Sequence, residues 1–173
     1  CNGFQILMKM GLLPGLGCGQ ISLVPNDSGK FENRWVSLKI NNQSKCIWTN
    51  NISRCELPVR HKEGKVISID QDVLLRLEER GQLVIQYINP NQRSVTQEYP
   101  WNPNGSMYGV AGICDPTGRI FGLMPHPEGY LHPYNHPTWT RKVALDMPLS
   151  SKGEGVQFFK NAVEFVGSKC GVS

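Results

Sequence analysis

A chain of 173 residues that is 39% hydrophobic has the length of one domain and enough apolar residues to bury a core. It has no long apolar run and no signal-like segment, which argues against a membrane protein and predicts a cytoplasmic one. The formal net charge is +4, but the basic residues are scattered without interleaved aromatic residues, which argues against nucleic-acid binding.

The first half of the chain alternates apolar segments with glycine- and proline-containing turns. Helical spacing of apolar residues and stop signals such as Gly81 predict two helices, and apolar runs of shorter period predict strands. The predicted elements are a helix over residues 2–10, a turn over 14–19, strands over 31–40, 46–49 and 66–69, and a helix over 71–80.

The second half predicts a strand over 82–88, a turn over 102–105, and a hairpin of strands 108–114 and 119–123. A final helix is predicted over 153–167, with an apolar stripe that we expect to face the core. The stripe consists of Val156, Phe159, Val163 and Val166. The long connection over 129–152 predicts an ordered excursion near the mouth of the active site, where a partner protein could bind.

A histidine and a carboxylate lie two residues apart in a proline-rich segment, at His126 and Glu128. The proline after His126 favours extended backbone there, and side chains at i and i+2 of an extended chain share a face. A carboxylate beside an imidazole can hold its tautomer and stabilise the imidazolium. The alternative is a surface loop in which the two residues meet by chance.

A thiol, Cys1, stands at the start of a predicted helix. The positive end of the helix dipole lowers the pKa of a thiol there and favours the nucleophilic thiolate. Gly3 would allow a substrate to approach the backbone closely. Two other interpretations are a buried structural cysteine and an N-terminal nucleophile that uses its own amine as base. The helical pattern after Cys1 and the presence of His126 disfavour the second.

Three histidines, His126, His132 and His136, form an H-x5-H-x3-H pattern that raises the question of a metal site. The spacing matches no standard zinc pattern and no cysteine pair lies near. We therefore predict no metal. The six cysteines follow irregular spacings without C-x-x-C, which predicts reduced thiols.

Several motifs together resemble one enzyme family. The segment from Cys1 to Gln5 resembles the second half of the G-x-C-x-G-x-Q elbow of class I (triad) glutamine amidotransferases, and Met124 to Glu128 resembles their His-x-Glu. Further matches make the chain similar to the glutaminase subunit or domain of phosphoribosylformylglycinamidine synthase, a purine-biosynthesis enzyme. These matches are Ser28-Gly29-Lys30-Phe31, Arg34-Trp35-Val36, Asn102-Pro103-Asn104-Gly105-Ser106 and Gly109-Val110-Ala111-Gly112-Ile113-Cys114.

The resemblance implies an α/β fold, flavodoxin-like and three-layered with a mixed sheet, in one amidotransferase domain over residues 1–173. It also implies glutamine hydrolysis through a thioester. Cys1 would attack the glutamine carbonyl, the Asn2 N–H would stabilise the oxyanion, His126 would transfer protons and Glu128 would orient His126.

The resemblance further implies that Gln5 and the loop residues His61, Lys62 and Glu63 help hold glutamine. The ammonia would pass to a synthetase subunit or domain that converts formylglycinamide ribonucleotide to formylglycinamidine ribonucleotide. ATP and Mg²⁺ would belong to that partner, because this chain has no Walker-type motif and requires no cofactor of its own.

Two departures from the family pattern stand out. The family usually reads Ala-His-Gly-Glu-Gly where this chain has Val59 to Gly64, so that Lys62 replaces a glycine. The chain also opens at the nucleophile, so we expect a domain that lacks its N-terminal segment and one oxyanion donor, and is impaired or inactive alone. The alternatives are an inactive fragment that docks its partner, another triad amidotransferase, or a γ-glutamyl hydrolase relative.

Overall fold

The computed structural model describes residues 1–15 and 21–170. The helices are α1 (Asn2–Lys9), α2 (Gln71–Glu79), α3 (Trp139–Ala144) and α4 (Val156–Cys170). The strands are β1 (Ile21–Pro25), β2 (Glu32–Ile40), β3 (Arg54–His61), β4 (Glu63–Ser68), β5 (Leu83–Asn89), β6 (Ser94–Val95), β7 (Val110–Cys114) and β8 (Phe121–Leu123). The helices of this described part are too short or too polar to cross a membrane.

The strands form a curled antiparallel sheet in the order β3-β2-β5-β7-β8, with β6 paired to β5. Strands β1 and β4 form a separate antiparallel ribbon, which continues from the end of β3 through Lys62. Helices pack on the sheet around two apolar clusters, one of which joins α1 and α2 to β5, β7 and the segment after β8. The predicted α/β fold class is confirmed.

Most predicted elements agree with the structure to within a few residues. These are α1, β2, β4, α2, β5, α4 and the hairpin of β7 and β8. The predicted strand over 46–49 is wrong, since Ile47–Thr49 forms a 3₁₀ turn. Strands β1 and β3 and helix α3 were not predicted. The predicted turn over 14–19 falls largely on residues 16–20, which lie outside the described residues.

The stripe predicted on the last helix does not face the core. Phe159, Val163 and Val166 are 42%, 72% and 57% exposed, whereas Phe158 is 2% exposed. Helix α4 is oriented by Asn161, whose Nδ2 donates to the carbonyls of Trp48 at 2.9 Å and Asn50 at 2.7 Å. These polar contacts rotate the apolar stripe towards solvent.

Helix α1 is attached to the strand that leads to His126. Phe4, the buried residue of α1, packs on Gly122 in the middle of β8, where a Cβ would lie 2.3 Å from the Phe4 ring. A side chain at Gly122 would therefore push α1 away. This close contact holds the start of α1 beside the segment that follows β8.

Candidate active site

The predicted histidine–carboxylate pair is formed. His126 Nδ1 lies 2.5 Å from Glu128 Oε1. His126 is extended, as expected before a proline, while Glu128 lies in a 3₁₀ turn over Pro127–Gly129 that brings the carboxylate back to the ring. The backbone N–H of His126 donates to the Pro58 carbonyl at 2.8 Å, which anchors the segment to β3.

The second nitrogen of His126 is free. Nε2 is buried and has no hydrogen-bond partner among the described residues. An ionised Glu128 is the stronger acceptor for Nδ1–H, and burial opposes that ionisation. The hydrogen bond from His126 and backbone contacts outweigh burial and lower the pKa of Glu128. The pair therefore leaves Nε2 of His126 as the ring position that is available for proton transfer.

Cys1 caps the N-terminus of α1 and is half-buried. It packs against the apolar cluster that contains Phe4 and Met124, two residues before His126. The carboxylate of Glu128 lies close enough to the backbone nitrogen of Cys1 to interact with it electrostatically. Thus the structure brings the thiol-bearing residue to the His126–Glu128 pair. Asn2 begins α1, where the first backbone N–H groups have no acceptor within the helix.

The remaining predicted residues lie on a bend between β3 and β4, residues 61–64, and on the facing side of α1. All four backbone carbonyls of this bend accept hydrogen bonds from side chains or backbone outside it. Those of His61 and Lys62 accept from Asn26, that of Glu63 accepts from Gln5 Nε2 at 3.0 Å, and that of Gly64 accepts from Asn104 Nδ2 at 2.8 Å. The bend is therefore fixed in place, and Gln5 joins it to the helix that begins at Cys1.

Lys62, which replaces the family's usual glycine, fits the bend without backbone strain. Its φ is not positive and its side chain is exposed. The long side chain points away from the interior. The bend thus keeps its backbone path despite the departure from the family pattern.

His61 is fully buried, so its ring supports the bend from inside. Its Nδ1 lies 3.1 Å from Asn26 Oδ1, and its Nε2 has no partner among the described residues. Burial lowers the pKa of His61 to about 4, and the charge of His126 lowers it further. This imidazole is neutral at physiological pH.

The H-x5-H-x3-H pattern does not converge on one point. His126 binds Glu128, His132 Nδ1 accepts from the Tyr134 N–H, and His136 binds Glu56. Within the described ranges, no cluster of three histidine, cysteine, aspartate or glutamate residues could hold a metal ion. The four cysteines with described side chains, Cys1, Cys46, Cys55 and Cys114, are free thiols.

Sequence reasoning missed the residues that hold the bend, above all Asn26. Asn26 is 3% exposed and follows β1, a strand that was not predicted. Asn104 was predicted to lie in a turn over 102–105, which Ser106 follows, yet both residues are buried and hydrogen-bond to each other and to the Gly64 carbonyl. A run of asparagines beside short apolar strands was the available signal for this polar network.

A thiol at a helix start, near a histidine–carboxylate pair with a free nitrogen, is an arrangement typical of cysteine-dependent acyl-transfer enzymes. The chain belongs to the CobB/CobQ-like glutamine amidotransferase domain family, whose model matches residues 1–166.

Individual relatives show which members of this family the chain resembles. The chain is 41% identical over 167 residues to the phosphoribosylformylglycinamidine synthase subunit PurQ of Dehalococcoides mccartyi, covering 95% of this chain and 61% of that protein. It is 39% identical over 174 residues to PurQ of Methanococcus maripaludis, covering 95% and 64%. It also resembles a chain in the structure of PurLQS from Thermotoga maritima, with a TM-score of 0.59 and 28% identity, covering 95% and 59%. The chain thus spans about three fifths of the length of these relatives.

Proposed function

We propose that this chain carries the glutaminase chemistry of phosphoribosylformylglycinamidine synthase. The observation that carries the proposal is the free Nε2 of His126, with Glu128 on the opposite ring nitrogen and Cys1 beside the pair. The names of the PurQ relatives support the assignment to this amidotransferase rather than to another.

In the proposed reaction, the thiol proton of Cys1 passes to His126 Nε2 and the thiolate attacks the side-chain carbonyl of glutamine. The carbon–nitrogen bond breaks as His126 returns that proton to the departing ammonia, which leaves a thioester on Cys1. His126 then takes a proton from water, whose attack releases glutamate and regenerates the thiol.

Glu128 holds the Nδ1–H of His126 and stabilises the imidazolium that forms in each step. The backbone N–H of Asn2 donates to the oxyanion, because the first N–H groups of a helix are unpaired and lie at its positive end. Gln5 and the 61–64 bend, with His61, Lys62 and Glu63, position the amino-acid end of glutamine. The anchored carbonyls of the bend support this role because they keep its backbone in one arrangement.

The ammonia passes to a synthetase subunit or domain, which uses ATP and Mg²⁺ to convert formylglycinamide ribonucleotide to formylglycinamidine ribonucleotide in the cytoplasm. Two observations support a separate partner. The relatives are named as subunits of the synthase, and the related structure is of an assembly, PurLQS.

The test is covalent labelling of the full-length protein with a glutamine-like electrophile, read by intact mass and peptide mapping. We expect one adduct on Cys1, protection by glutamine, and little adduct in His126→Ala. His136→Ala is the matched control, because His136 also binds a carboxylate but has no free ring nitrogen. Labelling at another cysteine, or full labelling of His126→Ala, would refute the assigned nucleophile and base.

A second assay tests the acceptor reaction. The protein mixed with its synthetase partner, ATP and formylglycinamide ribonucleotide should form the amidine from glutamine, and ammonia should replace glutamine in Cys1→Ser. Efficient glutamine hydrolysis that no synthetase stimulates would instead indicate a hydrolase.

A further inference from the structure

The second imidazole near Cys1, that of His61, has a tautomer fixed by its neighbour. The Nδ2 of Asn26 donates to two backbone carbonyls, those of Lys30 at 3.0 Å and His61 at 2.9 Å. A carbonyl can only accept, so this atom is the amide NH₂ and the facing atom, Oδ1, is an acceptor. Oδ1 lies 3.1 Å from His61 Nδ1, which must therefore carry the proton.

With the proton on Nδ1, the Nε2 of His61 is a lone pair without a partner among the described residues. Leaving such an acceptor buried and unpaired opposes folding. Turning the ring would break its contact with Asn26, and the ring packs so close to Gly64 that a Cβ there would be 2.7 Å from Nδ1. The arrangement is an unusual one for a residue that serves stability alone.

Two charged or titratable side chains face His61. Glu32 faces it from β2 and His126 from the segment after β8, and the backbone nitrogen of Cys1 lies near it at the start of α1. The Glu32 carboxylate is already engaged, by Arg34 at 2.6 Å and by Ser28 at 2.7 Å. His61 is thus backed by a neutral amide, whereas His126 is backed by the ionised carboxylate of Glu128.

We propose that His61 is a positioning residue that Asn26 holds as the Nδ1–H tautomer and that burial of its unpaired Nε2 keeps neutral, so that His126 alone carries the moving proton. Two adjacent imidazolium ions repel each other, so a charged His61 would disfavour the imidazolium of His126. This inference rests on the proposed function, in which His126 is the base. It adds that Asn26 assigns different roles to the two imidazoles.

The tautomer can be measured directly, whether or not the protein hydrolyses glutamine. In a long-range ¹⁵N–¹H correlation spectrum of the full-length protein, with His61→Gln used for assignment, His61 should show a protonated Nδ1 and an unprotonated Nε2. We expect this pattern to persist from about pH 8 down to about pH 5.5, below the usual His pKa. A protonated Nε2 at neutral pH would overturn the proposal.

The functional test places a carboxylate behind His61. Asn26→Asp should let His61 become charged, add an ionisation to the pH profile of kcat/KM, and lower kcat/KM by about tenfold where His61 is protonated. His61→Gln should keep the shape of the wild-type profile, because glutamine is neutral at every pH. The double variant, Asn26→Asp with His61→Gln, should lose the added ionisation.

The double variant separates charge from damage to the bend, because the new carboxylate remains while the imidazole is gone. Asn33→Asp, at an exposed position of β2, controls for the added negative charge. An unchanged profile in a folded Asn26→Asp protein would refute the proposal, as would an added ionisation that persists in the double variant. If Asn26→Asp does not fold, the tautomer measurement on the unmodified protein still decides.

Discussion

Two histidine–carboxylate pairs in this chain look alike in chemistry and differ in what they leave free. His126 contacts Glu128, two residues away, through Nδ1 and keeps Nε2 without a partner among the described residues. His136 contacts Glu56, eighty residues away, through Nε2 at 2.9 Å, and its Nδ1 lies 2.8 Å from Thr138 Oγ1. The first pair has a nitrogen available for chemistry and the second has none.

The two pairs also differ in how deeply the histidine ring is packed. The His136 side chain is 7% exposed and its ring lies against Trp35 and Tyr130, with centroid distances of 4.6 and 5.5 Å. The His126 side chain is 23% exposed and stands beside Cys1. A carboxylate neighbour therefore does not mark a catalytic histidine by itself. A histidine suited to proton transfer has a carboxylate on one ring nitrogen and no hydrogen-bond partner on the other.

The largest predicted effect follows from the free nitrogen of His126. His126→Ala removes the proton acceptor and donor, so glutamine hydrolysis should fall by about a thousandfold or more. The midpoint of thermal unfolding should change little, because the ring is partly exposed and its loss opens no large cavity. Steady-state release of glutamate and a thermal melt on the same preparation test this pair of outcomes.

A control sharpens the result. Glu128→Gln replaces the carboxylate next to His126 by an amide that can still accept a hydrogen bond. It removes the charge that stabilises the imidazolium, so its loss of activity should be smaller than that of His126→Ala. A His126→Ala protein that retains wild-type turnover would show that another group moves the proton.

The third histidine, His61, should dominate the acid dependence of stability. Its pKa is about 4 in the folded chain, against an ordinary value of 6.5. Above pH 6.5 the group is neutral in both states. As the pH falls from 6.5 to 4, the unfolded state binds the proton preferentially, so the free energy of unfolding should drop by about 3 kcal/mol.

Denaturant titrations at several pH values test this, with His61→Gln as the reference. The variant should be less dependent on pH between 6.5 and 4, and the two proteins should show parallel behaviour below pH 4. Equal pH dependence in both proteins would show that His61 titrates normally.

The structural pair should respond in stability and not in chemistry. His136→Ala removes contacts to Glu56 and Thr138 and the packing against Trp35, which should lower the free energy of unfolding by about 2 kcal/mol. His136→Phe keeps a ring in place and should lose less. Folded protein of both variants should label at Cys1 at the wild-type rate, and a selective loss of labelling would bring His136 into the site.

Contacts between residues close in sequence could be predicted from the sequence, whereas contacts between distant residues could not. The pair of His126 and Glu128 was predictable because its members lie two positions apart, with a proline before and after His126. The contact of Asn26 with His61 spans 35 residues and depends on β1 and β3, neither of which was predicted. In β3, Pro58 and several charged residues obscure the strand pattern, and pairing with β2 overrides them.

The orientation of helix α4 was predicted wrongly for a related reason. The helix itself was predictable from its apolar period, but its rotation was not, because a polar residue determines it. Asn161 contacts the carbonyls of Trp48 and Asn50, more than 100 residues earlier, and the stripe through Val163 turns outward as a result. The segment at Ile47–Thr49 was misread for the same reason, since its β-favouring residues form a turn that packs on α4.

The smallest effect is expected at the fourth histidine, His132, whose exposed side chain makes only weak contacts, among them a ring contact with Tyr134 at a centroid distance of 4.7 Å. Its Nδ1 accepts from the Tyr134 N–H at 3.4 Å, at the start of a short 3₁₀ turn. His132→Ala should change the free energy of unfolding by less than about 0.5 kcal/mol and leave glutamine hydrolysis unchanged, because the backbone N–H of residue 132 still donates to Asn135 Oδ1. A stable His132→Ala protein that has lost stimulation by the synthetase would contradict the second expectation. It would show that the excursion over 129–152, which begins directly after Glu128, contacts the partner.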